Sequence, residues 1–155
     1  MINIHEITET TNKTNVCDEI LHALPLWFGN ESAIVDYAQQ VKDMPFFAAY
    51  DDERAIGFVA IKIHNPHTAE VCVIGIREPY HRQGIGRHFI EHCERFCRSH
   101  DMVYLTVKTL DGSARSDEYA RTRRFYEAMG FVPLEVFPLF WDEANPCLFL
   151  AKYLK

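Results

Sequence analysis

The stretch that decides the fold is Ala69-Glu70-Val71-Cys72-Val73-Ile74-Gly75-Ile76-Arg77-Glu78-Pro79-Tyr80-His81-Arg82-Gln83-Gly84-Ile85-Gly86-Arg87. Its pattern predicts a strand, then a turn rich in backbone donors, then the start of a long amphipathic helix. Gly84 and Gly86 have no Cβ, so the main chain there can approach a ligand closely. The free N–H groups and the positive dipole end of the following helix stabilise an anion. The stretch therefore predicts a binding place for a pyrophosphate.

Length and composition predict one compact domain over residues 1–155. The chain has 48% hydrophobic and 25% charged residues, and a domain of this size buries about 70% of its unfolded surface. The formal net charge of -6 argues against sequence-independent nucleic-acid binding, which requires a basic face. A local basic cluster lies in the stretch quoted above, where a small anionic ligand would need it: Arg77, His81, Arg82 and Arg87.

The cysteines and the N-terminal residues predict a cytoplasmic protein. The 5 cysteines are an odd number without Cys-x-x-Cys spacing, as expected of buried thiols in a reducing compartment. The first residues lack a charged segment followed by an apolar core, and no apolar run approaches the length that spans a bilayer.

His88 and His92 have an i,i+4 spacing, but the sequence offers no third metal ligand, so a solvated helix face is favoured and no metal is expected.

Hydrophobic periodicity predicts an α/β (α+β) fold with a mixed, mostly antiparallel sheet of about seven strands and about four flanking helices. No internal repeat or linker interrupts the pattern. The predicted order is a strand over 2–7, helices over 16–24 and 32–41, strands over 46–50, 56–63 and 70–76, a helix over 85–97, a strand over 102–107, a helix capped by Ser116 and ended by Gly130, and strands over 131–137 and 147–153.

Two familiar nucleotide-binding loops fit the turn poorly. A Walker A loop needs Lys followed by Ser or Thr after its last glycine, whereas Gly86 is followed by Arg87 and His88. A Rossmann fingerprint begins with a glycine directly after the strand and needs a third glycine, whereas this chain has several residues between Ile76 and Gly84 and has no glycine near Phe89. Both loops are therefore disfavoured.

The turn instead resembles the acetyl-CoA signature of the GNAT N-acetyltransferase superfamily, in which Gln or Arg is followed three residues later by Gly-x-Gly or Gly-x-Ala. Here the segment is His81-Arg82-Gln83-Gly84-Ile85-Gly86, with His81 at the place of the usual Gln or Arg. A second likeness is Arg124-Phe125-Tyr126-Glu127-Ala128-Met129-Gly130-Phe131, a helix that ends in a tyrosine followed shortly by Gly-Phe. Family members often carry Asn one helical segment before that tyrosine, where this chain has Tyr119. The order of elements also matches, so the resemblance covers nearly the whole chain.

The resemblance implies acetyl-CoA as cofactor and acetyl transfer to an amine. An alkylammonium must first lose a proton, which costs about 4 kcal/mol at pH 7, and the likeness implies that Glu70 takes that proton directly or through water. Tyr126 would hydrogen-bond or protonate the leaving sulfur. Glu70 is alternatively an exposed carboxylate or an ion-pair partner, and Tyr126 a core tyrosine. The implied cofactor contacts are Ile74, Ile76, His81, Arg82, Gln83, Gly84, Ile85, Gly86 and Arg87.

The acceptor is expected to meet aromatic side chains in segments that Pro and Gly interrupt. Trp27, Phe28 and Trp141, beside carboxylates, would suit a small cation, although the tryptophans could instead close the core or a homodimer contact. Covalent catalysis by Cys72 or Cys147 is disfavoured because neither has a signature for an activating base. Two functions follow from the sequence. One is an N-acetyltransferase acting on a primary amine of a small molecule or peptide, and the other is an inactive acyl-CoA-binding sensor or interaction module.

Overall fold

The computed structural model describes residues 1–155. It contains the strands β1 (Ile2–Glu6), β2 (Phe46–Asp51), β3 (Arg54–Asn65), β4 (Thr68–Ile76), β5 (Tyr104–Leu110), β6 (Val132–Asp142) and β7 (Asn145–Tyr153), and the helices α1 (Thr10–His22), α2 (Glu31–Gln40), α3 (Ile85–Ser99) and α4 (Asp117–Ala128). The strands form one sheet in the order β1-β2-β3-β4-β5-β7-β6. Pairs β1/β2, β2/β3, β5/β7 and β6/β7 are antiparallel. The predicted fold class is confirmed.

By its contacts the chain divides into a first unit, Met1–Ile63 with Val71–Cys93, and a second unit, His64–Glu70 with Glu94–Lys155. In the first unit, both α1 and α2 begin at side-chain caps. The Glu9 carboxylate accepts hydrogen bonds from the first-turn amides of α1, and Asn30 does the same for α2. These bonds satisfy amides that have no partner within the helix.

The core of the first unit is apolar. Phe46 and Phe58 are fully buried and stack with 5.1 Å between ring centroids. A Cβ added at Gly75 would lie 3.0 Å from Cγ2 of Ile20 and 3.2 Å from Cδ1 of Leu24. The glycine in β4 is therefore required for the close packing of α1 on that strand.

The second unit is built on the antiparallel strands β5, β7 and β6. Helix α4 begins where the Ser116 hydroxyl accepts a hydrogen bond from the Tyr119 amide at 3.2 Å. It ends before Gly130, whose φ of +96° is the left-handed conformation that favours glycine after a helix. Lys152 Nζ donates to the Met129 carbonyl at 2.7 Å and pairs with Glu94 at 2.8 Å. Both ends of α4 agree with the prediction.

Several element boundaries differ from the prediction by two or more residues, and three of them bear on the account. Helix α1 begins at Thr10, nearly two turns before Val16, the first residue of its predicted apolar stripe. Strand β5 begins at Tyr104 because the Met102 amide donates to the Cys97 carbonyl at 2.9 Å and so closes the end of α3. Strand β6 continues to Asp142, so Trp141 lies in a strand.

None of the cysteines forms a disulfide, and four of the five, Cys72 excepted, are buried. No helix has the length and apolar character needed to cross a bilayer.

Candidate functional site

The segment between β4 and α3 presents unbonded backbone donors. We call residues 81–87 the glycine turn. No backbone carbonyl accepts a hydrogen bond from the amides of residues 82–87, and the first amide to find one is that of His88, which donates to Gly84 at 3.1 Å. A Cβ at Gly84 would meet nothing within 4 Å, so the space beside the turn is open. The donors at the start of α3 are therefore available to an anion, and the predicted anion site at these residues stays a prediction.

The backbone of the glycine turn adopts two positive φ angles, 63° at Arg82 and 82° at Gly84. The turn is held in this shape by its own side chains. His81 Nε2 donates to the Ile76 carbonyl at 2.6 Å, and Gln83 Nε2 donates to the Pro79 carbonyl at 3.2 Å. The Nε2–H group of His81 is thus used within the fold, and the carbonyl of Ile76, a predicted cofactor contact, already accepts one hydrogen bond.

The basic side chains near the turn divide into two kinds. Arg77 is mostly buried, with its Nη2 2.8 Å from Glu19 and its Nε donating to the Ala55 carbonyl at 3.0 Å. With His81, it therefore supports the fold. Arg82 and Arg87 are exposed and make no ion pair within the protein. Positive charge is thus available to an anion beside the unbonded amides.

The turn is also anchored by a phenol–carboxylate bond. Tyr80 donates from its hydroxyl to Asp51 Oδ2 at 2.6 Å. This hydrogen bond lowers the pKa of Asp51 and raises the pKa of Tyr80, because it stabilises the carboxylate and the neutral phenol.

In the second unit, Glu70 is buried, and one oxygen of its carboxylate accepts hydrogen bonds from two side chains. Oε1 lies 2.6 Å from His64 Nε2 and 2.8 Å from Lys108 Nζ, and the glutamate side chain is only 8% exposed. The ammonium of Lys108 also lies over the rings of Phe140, at 5.2 Å from the centroid, and Phe149, at 5.6 Å. Of the two structural alternatives for Glu70, the ion pair is the one that forms.

His64 and Lys108 are site neighbours that the sequence analysis missed. Asn65 and Pro66 directly follow His64 and are a turn signal, so a hairpin that brings His64 towards Glu70 could have been predicted. Lys108 lies on β5, far along the chain, and no local pattern connects it to Glu70.

Tyr126 lies in the last turn of α4 and is 4% exposed. Its ring contacts Phe131 edge-on at 5.7 Å and Phe125 at 5.4 Å between centroids, and its carbonyl accepts from the Phe131 amide. The Gly-Phe that follows the helix therefore packs against the tyrosine.

Burial raises the pKa of Tyr119, the residue at the family's Asn position, to about 12, so its phenol is neutral.

The predicted acceptor residues divide between the two units. In the first, Trp27 and Phe28 are partly buried against the core, and the Trp27 ring contacts His81 edge-on at 5.5 Å. In the second, Trp141 is 42% exposed and contacts the Phe140 ring at 6.0 Å. The cation that Phe140 meets in this structure is the chain's own Lys108.

Cysteine and metal chemistry gain no support from the geometry. Burial raises the pKa of the Cys147 thiol to about 11, so the nucleophilic thiolate is scarce at neutral pH. No group of three or more His, Cys, Asp or Glu side chains is arranged to hold a metal ion.

The family assignment follows from the sequence comparison. A family model described as the acetyltransferase (GNAT) family matches residues 15–131. Because the match spans most of the sequence, the chain belongs to the GNAT acetyltransferase family. No curated protein sequence matches it significantly.

Solved structures share the fold. A GNAT-family protein from Desulfovibrio desulfuricans is 17% identical, with a TM-score of 0.85 and 100% of both chains covered. The ribosomal-protein-S18-alanine N-acetyltransferase from Escherichia coli is 16% identical, with a TM-score of 0.79. The match covers 100% of this chain and 95% of that one. An aminoglycoside 6'-N-acetyltransferase complexed with coenzyme A is 18% identical, with a TM-score of 0.74. The match covers 99% of this chain and 97% of that one. The predicted family and its acetyl-CoA or coenzyme A cofactor are confirmed.

Proposed function

We propose that the chain is an N-acetyltransferase that moves an acetyl group from acetyl-CoA to a primary amine of a small molecule or a peptide. The observation that carries the proposal is the run of unbonded amides over residues 82–87 beside open space. Two structural neighbours, named for acetylating a protein alanine and an aminoglycoside, support an amine acceptor. We also propose that residues 1–155 act as one domain, since the family match includes parts of both units.

The glycine turn suits the diphosphate of coenzyme A. The amides of residues 82–87 would bind its oxygens, the guanidinium groups of Arg82 and Arg87 would add charge, and the backbone of Ile74 and Ile76 would meet the pantetheine arm. His81 and Gln83 would act by holding the turn in shape. When bound, acetyl-CoA supplies a thioester whose acetyl carbon bonds to the amine nitrogen as its bond to sulfur breaks.

The chain's own residues would handle the protons. The acceptor amine must lose a proton before it can attack, and we propose that the Glu70 carboxylate serves in accepting it, directly or through an intervening group such as water. We assign the Tyr126 hydroxyl the donation of a proton to the sulfur as it leaves. Trp27, Phe28 and Trp141 are the proposed aromatic contacts of the acceptor.

Calorimetry with acetyl-CoA, followed by thiol release over a panel of amines, tests the proposal. Binding together with thiol release on at least one amine is expected. Binding without release on any amine would favour the sensor or interaction module, and failure to bind would contradict both functions.

Gly84→Ala tests the turn itself, with Gly130→Ala as the matched control. Both glycines have positive φ, so each substitution carries a backbone cost of about 1 kcal/mol. Only Gly84→Ala should weaken acetyl-CoA binding beyond what its loss of stability explains. Equal affinity in the two variants would argue against a cofactor at the turn.

A further inference from the structure

The carboxylate of Glu70 is poorly placed to take a proton from an acceptor by itself. The residue is 6% exposed, and its Oε1 already accepts from His64 at 2.6 Å and from Lys108 at 2.8 Å. The other oxygen, Oε2, has no donor within the protein, but the side chain is only 8% exposed, so an amine has little room to reach it. Another group of the cluster is therefore better placed to meet the amine.

His64 offers an accessible basic atom. A carboxylate oxygen accepts hydrogen bonds, so the hydrogen bond to Glu70 places the proton of the neutral imidazole on Nε2. The lone pair then lies on Nδ1, which has no hydrogen-bond partner within the protein. The His64 side chain is 33% exposed, compared with 8% for Glu70.

Neighbouring contacts hold this pair in position. The Asn65 side chain accepts from the His67 amide at 2.8 Å and so closes the turn after His64, while the His67 carbonyl accepts from the Val103 and Tyr104 amides. The other charged or titratable groups around Glu70 are Lys108 and the Cys147 thiol. The thiol stays neutral, because burial raises the pKa of Cys147 to about 11.

We propose that His64 is a catalytic residue whose Nδ1 accepts the proton of the amine, and that Glu70 is a positioning residue that acts through His64. This inference rests on the proposed acetyl transfer. An N–H bond of the ammonium breaks, its electron pair stays on the nitrogen, and the proton bonds to Nδ1. The imidazolium keeps its Nε2–H on the Glu70 carboxylate until it releases a proton to water.

Three variants test the assignment by thiol release with an alkylamine at saturating acetyl-CoA. His64→Gln can keep a donor near Glu70 but has no basic nitrogen, and kcat/KM for the amine should fall about a hundredfold. Glu70→Gln can still accept from Nε2, so its loss should be smaller. His67→Gln, in the same hairpin, should behave as the wild type. All three should keep the wild-type affinity for acetyl-CoA.

The pH dependence separates a proton acceptor from a structural support. The His64→Gln defect should shrink as the pH approaches 10, where a large fraction of the alkylamine is already neutral. A structural defect would persist at every pH. A Glu70→Gln loss at least as large as that of His64→Gln, or a His64→Gln rate within threefold of wild type, would overturn the inference and leave acetyl transfer standing. No thiol release by the wild type on any amine of the panel would overturn both.

A measurement on the wild type keeps the inference testable if His64→Gln does not fold. Long-range ¹H–¹⁵N spectra recorded at a pH where the His64 ring is neutral should show its proton on Nε2 and a bare Nδ1. A proton on Nδ1 would contradict the assignment.

Discussion

His81 Nε2 donates a hydrogen bond to the Ile76 carbonyl at 2.6 Å, which ties the first residue of the glycine turn to the last residue of β4. At the position where the GNAT pattern usually has Gln or Arg, this chain thus has a side chain whose Nε2–H group is used by its own backbone. The proposed anion site consists of amides and arginines, and His81 keeps the turn in the shape that presents them.

Substitutions at His81 and Arg82 should therefore weaken coenzyme A binding in different ways. His81→Ala removes a hydrogen bond worth about 1 kcal/mol, so the dissociation constant should rise several-fold and its salt dependence should not change. Arg82→Gln removes an exposed charge and should reduce the salt dependence. Calorimetry at several salt concentrations measures both effects, with Lys62→Gln as an exposed-cation control. Equal salt slopes for Arg82→Gln and the wild type would contradict the role of Arg82.

Tyr126→Phe tests the assignment of the proton donor to sulfur. The variant keeps the ring that packs against Phe131 but loses the hydroxyl, so thiol release should slow about tenfold or more with little change in acetyl-CoA affinity. Tyr104→Phe, at a tyrosine that is 44% exposed, is the control. An unchanged rate for Tyr126→Phe would remove its assigned role.

Lys108→Met tests the buried ion pair. The substitution leaves Glu70 buried without its cation, and the free energy of unfolding should fall by about 3 kcal/mol. Arg121→Met breaks an exposed pair with Glu118, 3.8 Å apart, and should cost less than about 1 kcal/mol. Urea unfolding compares the two variants. An equally small loss of unfolding free energy in both variants would contradict a structural role for the Lys108–Glu70 pair.

His22 predicts a pH-dependent contribution to stability. Its pKa is raised, first by the side-chain hydrogen bond to Glu31 and then by the bond to the Asp18 carbonyl. The contribution is therefore complete below the ordinary value of 6.5 and is lost as the pH rises through the raised folded-state pKa. His22→Gln should lower the urea midpoint more at pH 5.5 than at pH 9. A pH-independent effect at His22 would exclude this linkage.

The sequence predicted those parts of the fold that depend on neighbouring residues. The alternation of apolar and polar residues predicted the strands, and the cap at Ser116 and the end at Gly130 predicted α4. Each of these signals acts between residues that are close in the sequence. The start of α1 was missed because its first turn is polar and its cap is Glu9, which is not among the preferred N-cap residues. The start of β5 depends on a bond from Met102 back to Cys97.

In the candidate site, too, the sequence predicted the features that depend on neighbouring residues and missed the contacts between distant ones. The two glycines and the following helix predicted the unbonded amides, since both features are local. The contact between His64 and Glu70 and the pairing of Lys108 with Glu70 join separate strands. Their distances depend on how the sheet is assembled, which a single sequence does not encode in any one segment.

Backbone amide spectra during titration with coenzyme A test the central claim most directly. We expect the ¹H–¹⁵N signals of residues 82–87 to shift strongly at coenzyme A concentrations that saturate binding, and to stay in place with pantetheine, which has no phosphate. Saturation by coenzyme A with these amide signals unmoved would contradict the account.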